Sequence, residues 1–498
     1  MPWPLISRTD ELSIVGNLLV IAHPGPLVLA GEPGAGRTTL LRRFLEMTAD
    51  DRHQVQVVDT GGSDTLVPVA GAAVEVVPAT VEAVRAASAS LGSDGRRPFI
   101  VVDDVHLAGH DLIHLLRDLH RRRGVTLVLS ASTAATVRPD PLDCLRYEAG
   151  ARFVSLEPLT GDDVRSVLEG LTGRAMDDPV VTAMHAATGG NPRLLYDLAV
   201  TCGVAAQLVD DGSGVLGWPA EVSFRAPLPR EIQHRIVRAL DGAWADLSLG
   251  PAGDLCRLAL AAGAGAQIRP GQVMALLLLG DPHEGLRLLD TIEQAGPARG
   301  QPEQAGPADG QHRHRLLLTR AILTAFGLRQ VERAAALLTG AGAAAPDPRL
   351  LAARQWILAA TGRAVATERV VPAPADLETS AFAHTAAAHL DLNAGRPQDA
   401  IGHLRRAIIA VRPLRDELPW MRPYLTGTLI DALLLAGRNT EATATAADFH
   451  AGRDGSGWTV AVSLSNLIAS ATADSGTTLR RTVRLSDHDG AVSAVTAG

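Results

Sequence analysis

Over residues 1–157, short apolar runs alternate with stretches whose apolar residues recur every three or four positions. Residues 26–30, 55–58, 99–102, 125–130 and 153–156 are rich in Val, Ile, Leu and Phe, and near-continuous apolar runs of that length suit strands covered on both faces. Helical periods and glycines lie between them, so the pattern predicts a parallel α/β core. Beyond residue 157 the period becomes helical. Thr160 and Asp163 have the spacing of a capping box, and Thr188-Gly189-Gly190-Asn191-Pro192 reads as a helix stop followed by a proline-initiated helix. A helical lid over 158–215 is therefore expected.

Residues 216–330 have the pattern of a small helical or winged-helix-like domain. It is interrupted by a tandem duplication, EQAGPARGQP at 293–302 and EQAGPADGQH at 303–312, which has almost nothing to bury and is expected to form a disordered surface insert. Over 331–473 helices repeat around three joints of the form Gly-Arg, with Gly362, Gly395 and Gly437 standing 33 and 42 residues apart. Glycine turns between helices rich in small residues predict tetratricopeptide-like repeats. The tail, 474–498, has no apolar period and is expected to be flexible.

Composition agrees with packed helices: 46% of the 498 residues are hydrophobic, 20% charged and only 3% aromatic. That length suits about three or four domains. The formal charge is -8 and no basic stripe occurs, so the chain lacks the electrostatic footprint of a nucleic-acid binder. Arg121, Arg122 and Arg123 close a helical stretch, where cations favour the helix dipole. Cys144, Cys202 and Cys256 are far apart and show no metal-ligand spacing, which suits a reducing compartment. The apolar run 273–279 is too short to span a bilayer, and the N-terminus lacks a signal pattern. A cytoplasmic protein without membrane partners is expected.

The chemistry is concentrated in Gly31-Glu32-Pro33-Gly34-Ala35-Gly36-Arg37-Thr38-Thr39, which follows one apolar run and opens a helical one. Strand, glycine-rich loop and helix in that order make a phosphate loop, because backbone N–H groups and a helix N-terminus converge on an anion. Gly31, Gly34, Ala35, Gly36, Arg37, Thr38 and Thr39 are the candidate nucleotide contacts. Position 37 is arginine where the G-x-x-x-x-G-K-[ST] pattern has lysine, and all 46 residues counted as Lys plus Arg are arginine. A planar guanidinium fits between β- and γ-phosphates less easily than a compact ammonium, so binding of ATP or ADP is expected to survive better than turnover. The second half of the site is the run 99–102 ending in Asp103 and Asp104. Asp103 and the Thr38 hydroxyl are the candidate Mg²⁺ ligands, and Asp104, with Arg37, is the candidate for catalysis through a polarised water. The competing reading is that the two acids merely cap the next helix.

Together these pieces resemble a STAND-type P-loop NTPase, most of all the large ATP-binding regulators of the LuxR family. The resemblance rests on Ile6-Ser7-Arg8-Thr9-Asp10-Glu11-Leu12, the loop at 31–39, Val102-Asp103-Asp104-Val105-His106-Leu107-Ala108, Gly189-Gly190-Asn191-Pro192 and His312-Arg313-His314-Arg315-Leu316-Leu317. It implies an AAA+/STAND-like core working as a nucleotide switch. Arg8 and Pro192 would contact the nucleotide, and an inducer or protein partner on the helical repeats would favour ATP exchange and self-association, in transcriptional regulation. Ser7 stands in place of the family glycine, Leu107 in place of a tryptophan, and Ser132 near the place of a polar sensor. Nothing after 473 resembles the terminal helix-turn-helix of those regulators, so direct DNA binding by this chain is not expected. The alternative is a catalytically degenerate NTPase-fold scaffold acting through its repeats.

Overall fold

The computed structural model describes residues 8–473 apart from 22–23, 51, 62–73, 134–141, 143, 211, 220–221, 296–306, 340–346, 364–375 and 452–455. The chain divides into two compact units, Met1–Gly217 and Trp218–Gly498.

The first unit is built on a six-stranded parallel sheet: β1 (Leu27–Gly31), β2 (His53–Asp59), β3 (Val74–Pro78), β4 (Arg97–Val102), β5 (Thr126–Ser132) and β6 (Arg152–Ser155), in the order β3-β2-β4-β5-β1-β6. Between the strands run α1 (Thr9–Val20, preceding β1), α2 (Arg37–Met47), α3 (Val81–Ser88) and α4 (His110–Arg123). Period-two alternation divides each central strand between two cores. Leu27, Leu29, Phe99, Val101 and Val128 join Val15 and Leu18 of α1 and Leu40, Leu41 and Phe44 of α2 on one face. Val28, Ile100, Val102, Leu127 and Leu129 join Val84 of α3 and Leu112, Ile113 and Leu116 of α4 on the other. Both faces are covered, which is why these strands are apolar throughout. Five of the strands lie where the apolar runs are; β3 was not among the expected strands.

The lid region follows as α5 (Gly161–Thr172), α6 (Asp178–Thr188) and α7 (Pro192–Tyr196). The capping box is present: Asp163 N–H donates to Thr160 Oγ1 at 3.2 Å and Thr160 N–H to Asp163 Oδ2 at 2.8 Å. Three short strands, β7 (Ala175–Met176), β8 (Val209–Asp210) and β9 (Val215–Gly217), form a small separate sheet.

The second unit is helical: α8 (Arg230–Ala245), α9 (Leu249–Ala261), α10 (Met274–Leu278), α11 (Pro282–Ala295), α12 (Pro307–Ile322), α13 (Val331–Thr339), α14 (Pro348–Ala360), α15 (Leu377–Asn393), α16 (Pro397–Val411), α17 (Met421–Leu435), α18 (Asn439–Ala451) and α19 (Ser456–Ala473). Among its described residues none forms a strand. The tandem duplication is entered from both sides by helix, since α11 runs to Ala295 and α12 starts at Pro307. This corrects the expectation of an insert disordered over all of 293–312; its middle, 296–306, and the tail 474–498 lie outside the described residues. The three Gly-Arg joints share one geometry. Gly362, Gly395 and Gly437 have φ of 70°, 73° and 73°. The following N–H groups of Arg363, Arg396 and Arg438 each donate, at 2.8 Å, to the carbonyl five residues back. That left-handed helix ending is the one glycine adopts without strain. Five aromatics are pooled in one place: Trp356 packs against Phe326, Phe382, Trp420 and Tyr424 with ring centroids 5.4–5.8 Å apart.

Candidate nucleotide site

Strand β5 lies between β1 and β4, so the loop leaving β1 and the acids leaving β4 open onto the same carboxyl edge of the sheet, with β5 side chains between them. Ligands of open parallel sheets sit at such an edge. Gly34 and Gly36 adopt φ of 83° and 95°, which turns the loop sharply into α2. Gly36 occupies the N-cap position of α2 and has no side chain to satisfy the first-turn N–H groups. A Cβ placed on Gly36 would meet no protein atom within 4 Å, whereas one on Gly34 would lie 2.6 Å from Asn191 Oδ1. A bare backbone cradle at a helix N-terminus fits the phosphate of a nucleotide.

The acids do different things. Asp103 is 9% exposed, and its carboxylate accepts from Thr38 Oγ1 at 2.7 Å and from Ser130 Oγ on β5. Asp104 N–H donates to Ser130 Oγ at 2.8 Å, and Thr60 Oγ1 donates to the Asp103 carbonyl at 2.9 Å. These bonds hold Asp103 facing the first turn of α2. The hydroxyl and carboxylate, both hard oxygen donors already in contact, fit Mg²⁺. Neither acid merely caps the next helix: Asp104 precedes the single turn Val105–Leu107 and makes no side-chain cap there. Instead Arg37 Nη1 lies 2.7 Å from Asp104 Oδ1. Both atoms are buried without an aligned hydrogen-bond partner, so the contact is an ion pair of poor hydrogen-bond geometry. Asp104 also sits in the left-handed region, φ 51° and ψ 47°, which an aspartate tolerates better than most residues.

His106 stands 3.9 Å from Asp104 Oδ1 and its Nδ1 accepts the Ser132 N–H at 3.2 Å. Burial holds its pKa below the ordinary histidine value; Asp104 and Asp103 oppose that shift and Arg37 adds to it. The polar side chain of β5 that meets the acids is Ser130, whereas Ser132 takes part here through its backbone.

Arg8 is buried and occupied. It donates to the carbonyls of Glu157 at 2.7 Å and Ala35 at 3.3 Å and pairs with Glu11 at 2.9 Å, so it braces the phosphate loop against the start of the lid. Thr39 is exposed on α2, and Pro192 is half-buried at the first position of α7. Asn191 links lid and loop. Its Oδ1 caps α7 by accepting from the N–H groups of Arg193 and Leu194, while its Nδ2 donates to the Pro33 carbonyl at 2.8 Å. Arg193 N–H donates to the Gly34 carbonyl at 3.2 Å. Asn191, Ser130, Thr60 and His106 were not singled out as site residues. Asn191 and His106 stood in motifs that were, and Ser130 and Thr60 are recognisable only once the strand order is known.

A family model described as an AAA domain matches residues 21–136, the segment that carries β1 to β5. The first unit has a P-loop NTPase core. Nucleotide binding is the property that this fold implies, usually with Mg²⁺. No curated protein matches the chain. Among solved structures the chain is similar to the Thermotoga maritima RuvB Holliday junction branch migration motor, at 14% identity over 51% of this chain and 84% of that one, with a TM-score of 0.29. A variant of the same protein aligns at 15% identity over 55% and 88%, also with a TM-score of 0.29. Among the described residues no helix is long and apolar enough to cross a membrane.

Proposed function

We propose that this chain is an ATP/ADP-binding signalling switch of the STAND type, with slow turnover and with helical repeats that receive a ligand or protein partner, in transcriptional regulation. The observation that carries it is the Arg37–Asp104 ion pair beside the Thr38–Asp103–Ser130 hydrogen bonds, on a phosphate loop tied to its lid. In this reading Gly34, Ala35, Gly36 and the N–H groups of Arg37, Thr38 and Thr39 cradle the phosphates, and Thr38 and Asp103 hold Mg²⁺. Bound there, the metal would neutralise phosphate charge. Asp104 can take a proton from water only when Arg37 releases it, and Arg37 can face a phosphate only when it leaves Asp104. Each group restrains the other, which favours long occupancy over fast hydrolysis.

Calorimetry with ATP and ADP, with and without Mg²⁺, and a phosphate-release assay test the reading. Saturable Mg²⁺-dependent binding with slow release is expected. Arg37→Lys is expected to raise the rate, because a compact ammonium serves the developing charge better than a planar guanidinium. Asp103→Asn is expected to remove the Mg²⁺ dependence. The same ion pair also favours a second reading, an NTPase fold kept as an interaction scaffold. Absence of binding of either nucleotide at millimolar concentration would establish that one instead.

A further inference from the structure

In the second unit two ring nitrogens face each other across a helix pair. His384 on α15 and His403 on α16 bring their Nδ1 atoms to 3.0 Å, with ring centroids 5.3 Å apart. Both rings are partly exposed, so small solutes reach them. Two imidazole lone pairs repel at that distance, so either one ring carries an Nδ1–H that the other accepts or a metal ion lies between them.

Two observations favour the metal. The first is span: two metal–nitrogen bonds of about 2.0–2.1 Å at an angle near 90° place their nitrogens about 2.9 Å apart. That is the geometry of tetragonal Cu²⁺ or Ni²⁺ sites with imidazole ligands. The second is the surroundings of His403. Asp391 Oδ2 stands 3.8 Å from its Nε2, and Asp391 is fixed in turn by Arg396 Nη2 at 2.6 Å. At that distance the carboxylate is a charged neighbour on the far side of the ring, the side from which a carboxylate supports a ligating histidine once it comes within hydrogen-bond reach.

We propose that His384 and His403 form a two-imidazole site for a divalent transition-metal ion of the copper–nickel class. Among the described residues no group of three or more His, Cys, Asp or Glu side chains is placed to hold a metal ion. The remaining coordination positions therefore go to water or to a small anionic ligand, and the ion exchanges.

The experiment titrates the full chain with CuSO₄ and NiCl₂, following heat and the nitrogen hyperfine signal of Cu²⁺. Exposed His110 and His114, four residues apart on α4, form a competing background pair, so all proteins carry His110→Asn and His114→Asn. One Cu²⁺ per chain with two nitrogen ligands is expected, bound more tightly than Ni²⁺. His384→Gln or His403→Gln is expected to weaken it about tenfold or more, and Asp391→Asn by about tenfold, in the range of lost outer-shell support. Metal-free melting curves show whether each variant folds. Equal Cu²⁺ binding by the parent and the His384→Gln/His403→Gln double variant would overturn the site. So would ¹⁵N spectra in which a proton shared by the two Nδ1 atoms is undisturbed by one equivalent of metal.

Discussion

At the scale of single residues, nucleotide binding by the loop is expected to depend on backbone more than on charge. Gly36 holds φ of 95°, where a β-branched residue is strained by about 1–3 kcal/mol, and a side chain there would enter the cradle that the N–H groups face. Gly36→Val is therefore expected to abolish nucleotide binding in calorimetry, while Arg37→Ala weakens it less; the reverse order would mean that the guanidinium, not the cradle, holds the phosphates. His106 makes a second test, through pH. Its folded pKa lies below the ordinary value of 6.5, so above 6.5 both folded and unfolded chains carry it neutral and its contribution to stability is complete. As the pH falls through 6.5 the unfolded chain takes the proton first, and stability drops until folded His106 is protonated too. Urea midpoints are expected to fall from pH 6.5 to pH 5 more steeply for the parent than for His106→Gln. The loop, Asp103 and Asp104 were legible in the sequence because strand, loop and helix are contiguous there. Ser130 and Thr60 were not, because their proximity to Asp103 is a product of strand order and leaves no local pattern.

Elements were legible where a cap marks them. The box at Thr160, the proline at the start of α7 and the three Gly-Arg joints are chemical requirements of helix ends, and each appears in the chain as residue types at fixed spacing. Strand β3 offers no such mark. It lies at the sheet edge, Glu75 and Val76 are exposed, and it ends in Pro78, so neither alternation nor an apolar run announces it. The joints give the cleanest test at this scale. A Cβ on Gly395 would meet no atom within 4 Å, so Gly395→Ala changes only the backbone preference. A loss of about 1 kcal/mol is expected in chemical denaturation, with a smaller loss for Gly395→Asn, which tolerates the left-handed conformation. Equal stability of all three proteins would show that the joint rearranges when its glycine is replaced.

For the whole molecule, charge and composition set the limits. With net charge -8 and no basic stripe along its sequence, the chain is expected to neutralise phosphates poorly. Filter binding to genomic DNA fragments at physiological salt, with and without ATP, is expected to show no sequence preference. A protected footprint from the purified chain would make it a DNA-binding regulator in its own right.

The tie between Asn191 and the phosphate loop has a kinetic consequence. Asn191 Nδ2 and Arg193 N–H bond to successive loop carbonyls, those of Pro33 and Gly34, from the first turn of one short helix. Moving that helix away breaks both bonds at once, so in the proposed reading departure of a nucleotide from the loop and displacement of α7 would become one event with one barrier. Residence time, more than equilibrium affinity, would then be the quantity Asn191 controls. Stopped-flow release of a fluorescent ADP is expected to be faster for Asn191→Ala, with the association rate little changed; a variant that slows association and leaves release untouched would uncouple the two motions.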